Sequence, residues 1–176
     1  MFTEIAIIGG FNTTHPTDVE VISLVNNSLS LITRDIPKLP KELMGLRGTK
    51  TPNGDLLLCG GCAGWLGKCN EYLILKDGSD QWKRIGTSQT KRLHHSSVFI
   101  DGCLFTTGAY NIRLPFLNHE EFSFEGGVKE KMDMPIFVYG HTATIFSPGK
   151  LLICGGRDKN VRKNYLQVIK TKLMDF

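Results

Sequence analysis

The sequence predicts an all-β protein, a tandem series of small antiparallel sheets, each made of four short strands joined by tight turns. Three observations carry that prediction. Glycine pairs close short apolar runs at a near-constant interval: IAIIGG ends at Gly10, LLLCGG at Gly61 and LLICGG at Gly156, and a degenerate copy, LFTTGA, ends at Ala109. The first glycine of each falls at 9, 60, 108 and 155, so the interval is 51, 48 and 47 residues. Turn-forming dipeptides keep the same phase, with Asn53-Gly54, Asp101-Gly102 and Pro148-Gly149 before the glycine pairs and Asn26-Asn27, Asp77-Gly78 and Gly126-Gly127 after them. The runs between the turns have strand composition, and no segment carries a convincing helical pattern.

Composition agrees. The chain has 176 residues, of which 41% are hydrophobic and 22% charged, as in ordinary globular domains. That balance excludes disorder, and five cysteines are too few for a dense disulfide scaffold. The longest apolar candidate, Leu56 to Leu66, is broken by Gly60, Gly61 and Gly64 and falls short of the roughly 20 residues of a membrane helix, so no membrane partner is expected. The opening MFTEIAIIGG has no basic lead and carries Glu4, so it does not read as a secretory signal. Net charge is +4. The residues from Lys150 onward contribute +5 of it and the first 149 sum to −1, which describes a solvated basic end and not a nucleic-acid face.

Taken in order, each repeat unit opens with a strand rich in β-branched and aromatic residues, HSSVFID (95–101) and HTATIFS (141–147) being the clear copies. Asn-Gly and Asp-Gly favour the two-residue hairpin whose central residues both need positive φ. The second strand, LLLC or LLIC, is continuously apolar and suits a strand buried on both faces. A longer loop follows, then a third strand, EYLILK (from Glu71) or EEFSFE (from Glu120). The fourth segment is more polar: SLSLITRDIP (28–37), QWKRIG (81–86) and VKEKMDMP (128–135). PKLPKELMGL (37–46) contains helix formers, but Pro37 and Pro40 limit it to a turn. Four strands in about 50 residues is the arithmetic of a β-propeller blade.

The pattern resembles the kelch repeat family, in which a glycine pair closes the second strand, a tyrosine-like aromatic sits in the third and a tryptophan opens the fourth. Gly60-Gly61, Tyr72 and Trp82 carry the resemblance best. Gly108-Ala109, Phe122 and Met132, then Gly9-Gly10, Val21 and Leu31, then Gly155-Gly156 and Tyr165 carry it in the other copies. The resemblance implies one kelch-repeat domain with blades at approximately 1–43, 44–90, 91–135 and 136–176. The first lacks its opening strand and the last its closing one, so three, four, four and about three strands are expected. Family members usually close with five to seven blades, so the expectation is an incomplete ring, whose unpaired terminal blades invite dimerisation.

The repetition itself assigns many conspicuous residues to the scaffold. Cys59 and Cys154 occupy equivalent sites before the glycine pair, as small buried residues and not nucleophiles. Cys62 and Cys69 flank AGWLGK and either staple that loop in an oxidising compartment or stay thiols in the cytosol. Two sequons, Asn12-Thr13-Thr14 and Asn26-Asn27-Ser28, acquire meaning only if the protein is secreted. His95 and His141 share one repeat position and are expected to hydrogen-bond between strands; no metal site is expected. Glu120 and Glu121 alternate to opposite sheet faces and do not form a paired carboxylate site. Nor does the chain show the convergent His and Tyr groups that a propeller oxidase would need.

The variable second-to-third-strand loops are where function is expected. They supply Phe11 and His15; Trp65 and Leu66; Arg113, Leu114, Phe116 and Leu117; and Arg157, Lys159, Arg162 and Lys163. Aromatic, Arg and Leu side chains held by rigid strands make partner anchors, and the basic set can steer an acidic segment. The reading is a non-enzymatic protein- or peptide-binding module with no catalytic residue, no cofactor and no metal. The alternatives are an extracellular carbohydrate- or matrix-binding propeller and, behind it, a propeller enzyme acting on sugars. The cytoplasm is favoured as its location, with an extracellular setting open if a signal peptide precedes this chain.

Overall fold

Strand composition and turn spacing are realised as four antiparallel sheets. The computed structural model describes residues 3–10, 17–25, 28–32, 36–63, 67, 69–110, 118–134, 137–158 and 166–170. Sheet I contains β1 (Thr3–Ile8), β2 (Val19–Val25) and β3 (Ser28–Ile32). Sheet II contains β4 (Arg47–Lys50), β5 (Leu56–Cys59), β6 (Glu71–Leu75) and β7 (Lys83–Thr87). Sheet III contains β8 (Ser96–Ile100), β9 (Cys103–Thr107), β10 (Asn118–Ser123) and β11 (Gly127–Asp133). Sheet IV contains β12 (Thr142–Ser147), β13 (Lys150–Cys154) and β14 (Leu166–Lys170). Each sheet is an up-and-down meander with strands in chain order, three, four, four and three in number. No described residue is helical. The expected helix-free connector after Pro37 is an irregular segment, bent at Pro40 and Lys41, that buries Leu39 and Leu43.

Sheets stack face to face, and the stacking explains the apolar runs. In β5, Leu58 joins Leu39, Leu43 and Leu73 against sheet I, while Leu57 and Cys59 point the other way and join Tyr72, Ile74, Leu104 and Phe122 against sheet III. A strand with neighbours on both faces must be apolar at every position. Val98, Ile100, Phe105 and Leu151 seal sheet III against sheet IV, extended by Met134, Val138 and Ile153. The opening strands lie side by side, β4 beside β8 and β8 beside β12, forming the inner side of an arc. No cluster of described residues joins sheet IV to sheet I. The two outer faces are accordingly bare: Ile5 and Ile7 on sheet I are 56% and 45% exposed, Leu166 and Val168 on sheet IV 72% and 51%.

The glycine pairs are a steric necessity. Gly60 has φ +63°, and a Cβ there would stand 2.7 Å from the Arg92 carbonyl oxygen and 2.7 Å from His95 Cε1. Gly108, at φ +61°, meets Val138 and His141 in the same way. Only glycine supplies that backbone with no side chain to place.

Three details depart from expectation. Asp101-Gly102 forms the anticipated turn with φ of +52° and +78°, but Asn53-Gly54 does not. Residues 51–55 form a longer loop, closed by Thr51 N–H donating to the Asp55 carbonyl at 2.8 Å. The buried Asp55 carboxylate dictates the extra length, because it accepts Lys76 Nζ at 2.7 Å and Asp77 N–H at 3.1 Å. Strand β4, reading RGTK, is too polar to announce itself; its ladder with β5 forms it. The ladder also revises the aromatic alignment. Tyr72 lies opposite Cys59, whereas His119 lies opposite the equivalent Thr107, and Val19 and Leu166 opposite Ile8 and Cys154. Phe122 is therefore no counterpart of Tyr72; its ring stacks on Tyr72 across the sheet interface at 4.7 Å and 19°. The Asn26-Asn27 turn lies outside the described residues.

Candidate functional site

Where each glycine pair ends a second strand, the chain must be gripped before it can leave as a loop. The connectors between sheets supply the grip. Leu43 and Arg92 carbonyls accept the N–H of Gly10 and Gly61 in the preceding sheet, at 3.0 and 2.8 Å. The next connector residue clamps the loop start of the following sheet. Met44 exchanges two backbone hydrogen bonds with Cys62, Leu93 accepts from Tyr110 at 2.7 Å, and Tyr139 exchanges two with Arg157 at 2.9 and 3.1 Å. Loops and connectors thus share one end of the arc.

The residue after each clamp sits in the left-handed region. It is Gly45 at φ +62° and Gly140 at φ +63°, but between them it is His94 at φ +53°. A non-glycine residue there costs about 1 kcal/mol. His94 is exposed, its carbonyl accepts Gly140 N–H at 2.7 Å, and its ring meets the edge of Tyr110, centroids 6.4 Å apart. Tyr110 in turn packs edge-to-face on Tyr139 at 4.9 Å, and Tyr139 leans on the buried Phe137 at 6.0 Å. These four rings form a row across the loop end, backed by a rigid base. Partial burial, with the Arg47 charge added, lowers the His94 pKa and favours the neutral imidazole. Arg157, bridged to Tyr139, is exposed.

Of the residues singled out in the sequence, only Arg157 falls within the described part, and it borders this row. Phe11, His15, Trp65, Leu66, Arg113, Leu114, Phe116, Leu117, Lys159, Arg162 and Lys163 lie outside the described residues. Tyr139 escaped notice because it sits in a connector and not a loop; the repeat offset that yields Met44 and Leu93 points to it once the connectors are aligned. The row is not a metal site: among the described residues no three His, Cys, Asp or Glu side chains come together as ligands.

Behind the row the chemistry is buried and neutral. His95 Nε2 lies 3.1 Å from Cys59 Sγ, which also contacts Ser97 Oγ at 2.9 Å. Burial pushes the Cys59 thiol up to about 12 and holds His95 well below its ordinary value, so no thiolate–imidazolium pair forms. His141 Nε2 makes the equivalent strand-to-strand bond to Thr107 Oγ1 at 2.8 Å, and burial lowers its pKa to about 4. No disulfide joins any of the five cysteines, Cys62 and Cys69 among them.

Sequence reading missed the central polar network. Arg92 occupies the place of Leu43 and Val138, buried to 1%, and Glu120 is buried completely. The Arg92 guanidinium lies 3.3 Å from Glu120 and donates to the Gly108 carbonyl at 2.9 Å. Glu120 also accepts Thr90 N–H at 3.0 Å, Tyr72 Oη–H at 3.2 Å and the Ser88 hydroxyl. This network pins the connector to sheet III and so fixes the base of the His94 turn. No family model and no curated protein matches the chain.

Proposed function

We propose that the chain is a kelch-type repeat module that recognises a protein or peptide partner at the loop end of its arc, without catalysis. One observation carries the reading: His94 stands in a left-handed position that two equivalent connectors give to glycine, and its exposed imidazole begins a row continued by the half-buried Tyr110 and Tyr139. Backbone strain of that kind persists where a side chain is wanted for use. Tyrosine, histidine and arginine on rigid supports are the usual anchors of an interface, and Arg47 and Arg157 favour an acidic or aromatic partner segment. The test is selection of a displayed random-peptide library on the immobilised protein, in parallel with His94→Gly and Tyr110→Ala/Tyr139→Ala. Peptides enriched by the wild type are expected to lose binding to both variants. His94→Gly relieves strain, so loss of binding there is not loss of fold. Equal enrichment on all three proteins would overturn the reading.

A further inference from the structure

Sheets II, III and IV each begin with an inner strand, and these strands touch: β4 lies against β8, and β8 against β12. The Ala143 N–H donates to Ser96 Oγ at 2.9 Å between the last two. Sheet I has no such strand among the described residues, so β1 is its edge. Two consequences meet at one spot. The ladder edge of β1 faces inward, and on β4 the residues facing sheet I, Gly48 and Lys50, are exposed, whereas their counterparts Ser97 and Phe99 are partly covered by sheet II. Between them runs a groove of about 800 Å³, lined by Ala6, Ile8 and Val21 on one wall and by Gly48, Lys50 and Leu58 on the other.

The geometry points to a strand-addition site: an extended segment of a partner polypeptide pairs with β1 and lies on β4, continuing the inner row. This is independent of the aromatic row, which lies at the loop end on the connectors and the start of the loop after β9. Main-chain hydrogen bonds to β1 would supply affinity, and alternate side chains would enter the groove. The inner strands define the occupant. It is a short segment of alternating small polar and β-branched or apolar residues, with Ser or Thr where Ser96 bonds the next strand, and an acidic residue within reach of the exposed Lys50.

The probe is a fluorescein-labelled peptide of residues 94–102, which carries the β8 sequence, titrated into the full chain and read by anisotropy. Saturable one-to-one binding is expected, abolished when alternate peptide amides are N-methylated and weakened about tenfold or more by Ala6→Arg, which puts a charged side chain into the groove. Lys50→Glu, on the opposite wall and exposed, weakens it without disturbing the melting temperature. Absence of binding, indifference to Ala6→Arg, or binding only after residues 171–176 are removed would overturn the proposal. The last result would mean that the chain's own tail occupies the place.

Discussion

Arg92→Met tests whether the buried Arg92–Glu120 pair holds the connector onto sheet III. Both groups are removed from water, so methionine leaves Glu120 as an uncompensated buried carboxylate, which costs about 3–5 kcal/mol. It also strips the Gly108 carbonyl of its donor, about 1–3 kcal/mol if no water replaces it. A domain with about 5–15 kcal/mol of total stability loses roughly a quarter or more. Glu120→Gln alone leaves a buried guanidinium and costs a similar amount. The double variant behaves differently, because the amide can still accept Thr90 N–H and donate to the Ser88 and Tyr72 hydroxyls, while no charge remains. Only the Gly108 carbonyl is then left, so the double variant costs about 1–3 kcal/mol, less than either single one. Urea denaturation at pH 7, followed by tryptophan fluorescence, measures all three. Additive single costs, or an Arg92→Met cost below about 1 kcal/mol, would refute the reasoning.

Acid should weaken the fold from about pH 6.5 downward. His141 is neutral when folded down to about pH 4, whereas the unfolded chain takes up the proton near 6.5, so stability falls as pH drops through that window, by up to about 3 kcal/mol. His95 adds in the same direction. His141→Gln keeps a partner for Thr107 and flattens the profile; an unchanged slope would contradict this. Below that window Asp55 acts in the same direction: Lys76 holds its pKa low, so the stability it adds is present above about pH 4 and is lost as pH falls through the depressed value. His94→Gly is expected to raise stability by about 0.5–1 kcal/mol through relief of the left-handed backbone. A loss of stability in calorimetry would remove the strain argument. Gly60→Ala should cost more than about 2 kcal/mol, since its Cβ would collide with the Arg92 carbonyl and with His95. The bare outer faces predict concentration-dependent self-association in sedimentation velocity, reduced by Leu166→Ser/Val168→Ser and unaffected by changes on the loop end.

Glycine spacing, turn phase and strand composition were enough to read four antiparallel sheets of three, four, four and three strands, because these are local signals of period 2 and of positive φ. LLLC is a second strand buried on both faces as its composition announced, but LLIC is buried only at Leu151 and Ile153, with Leu152 and Cys154 half-buried, because among the described residues no sheet covers the outer face of sheet IV. Strand β4 was silent, since RGTK owes its conformation to the β5 ladder and not to its own residues. The turn at Asn53-Gly54 misled because Asp55, a residue outside the dipeptide, is drawn inward by Lys76 and Asp77. Phe122 looked like the counterpart of Tyr72 in the sequence, and only the ladder register turned that likeness into a stack across an interface. The aromatic row and the Arg92–Glu120 pair were hidden for a common reason. Each reaches into a neighbouring repeat, His94 and Tyr110 to Tyr139 of the next and the Arg92–Glu120 pair to Tyr72 of the one before, and their meeting depends on how sheets stack. The sequence by itself determined the modules and their order. Tertiary packing decided which side chains are brought together between them, because contacts across a sheet interface obey the distance between neighbouring layers and not the distance along the chain.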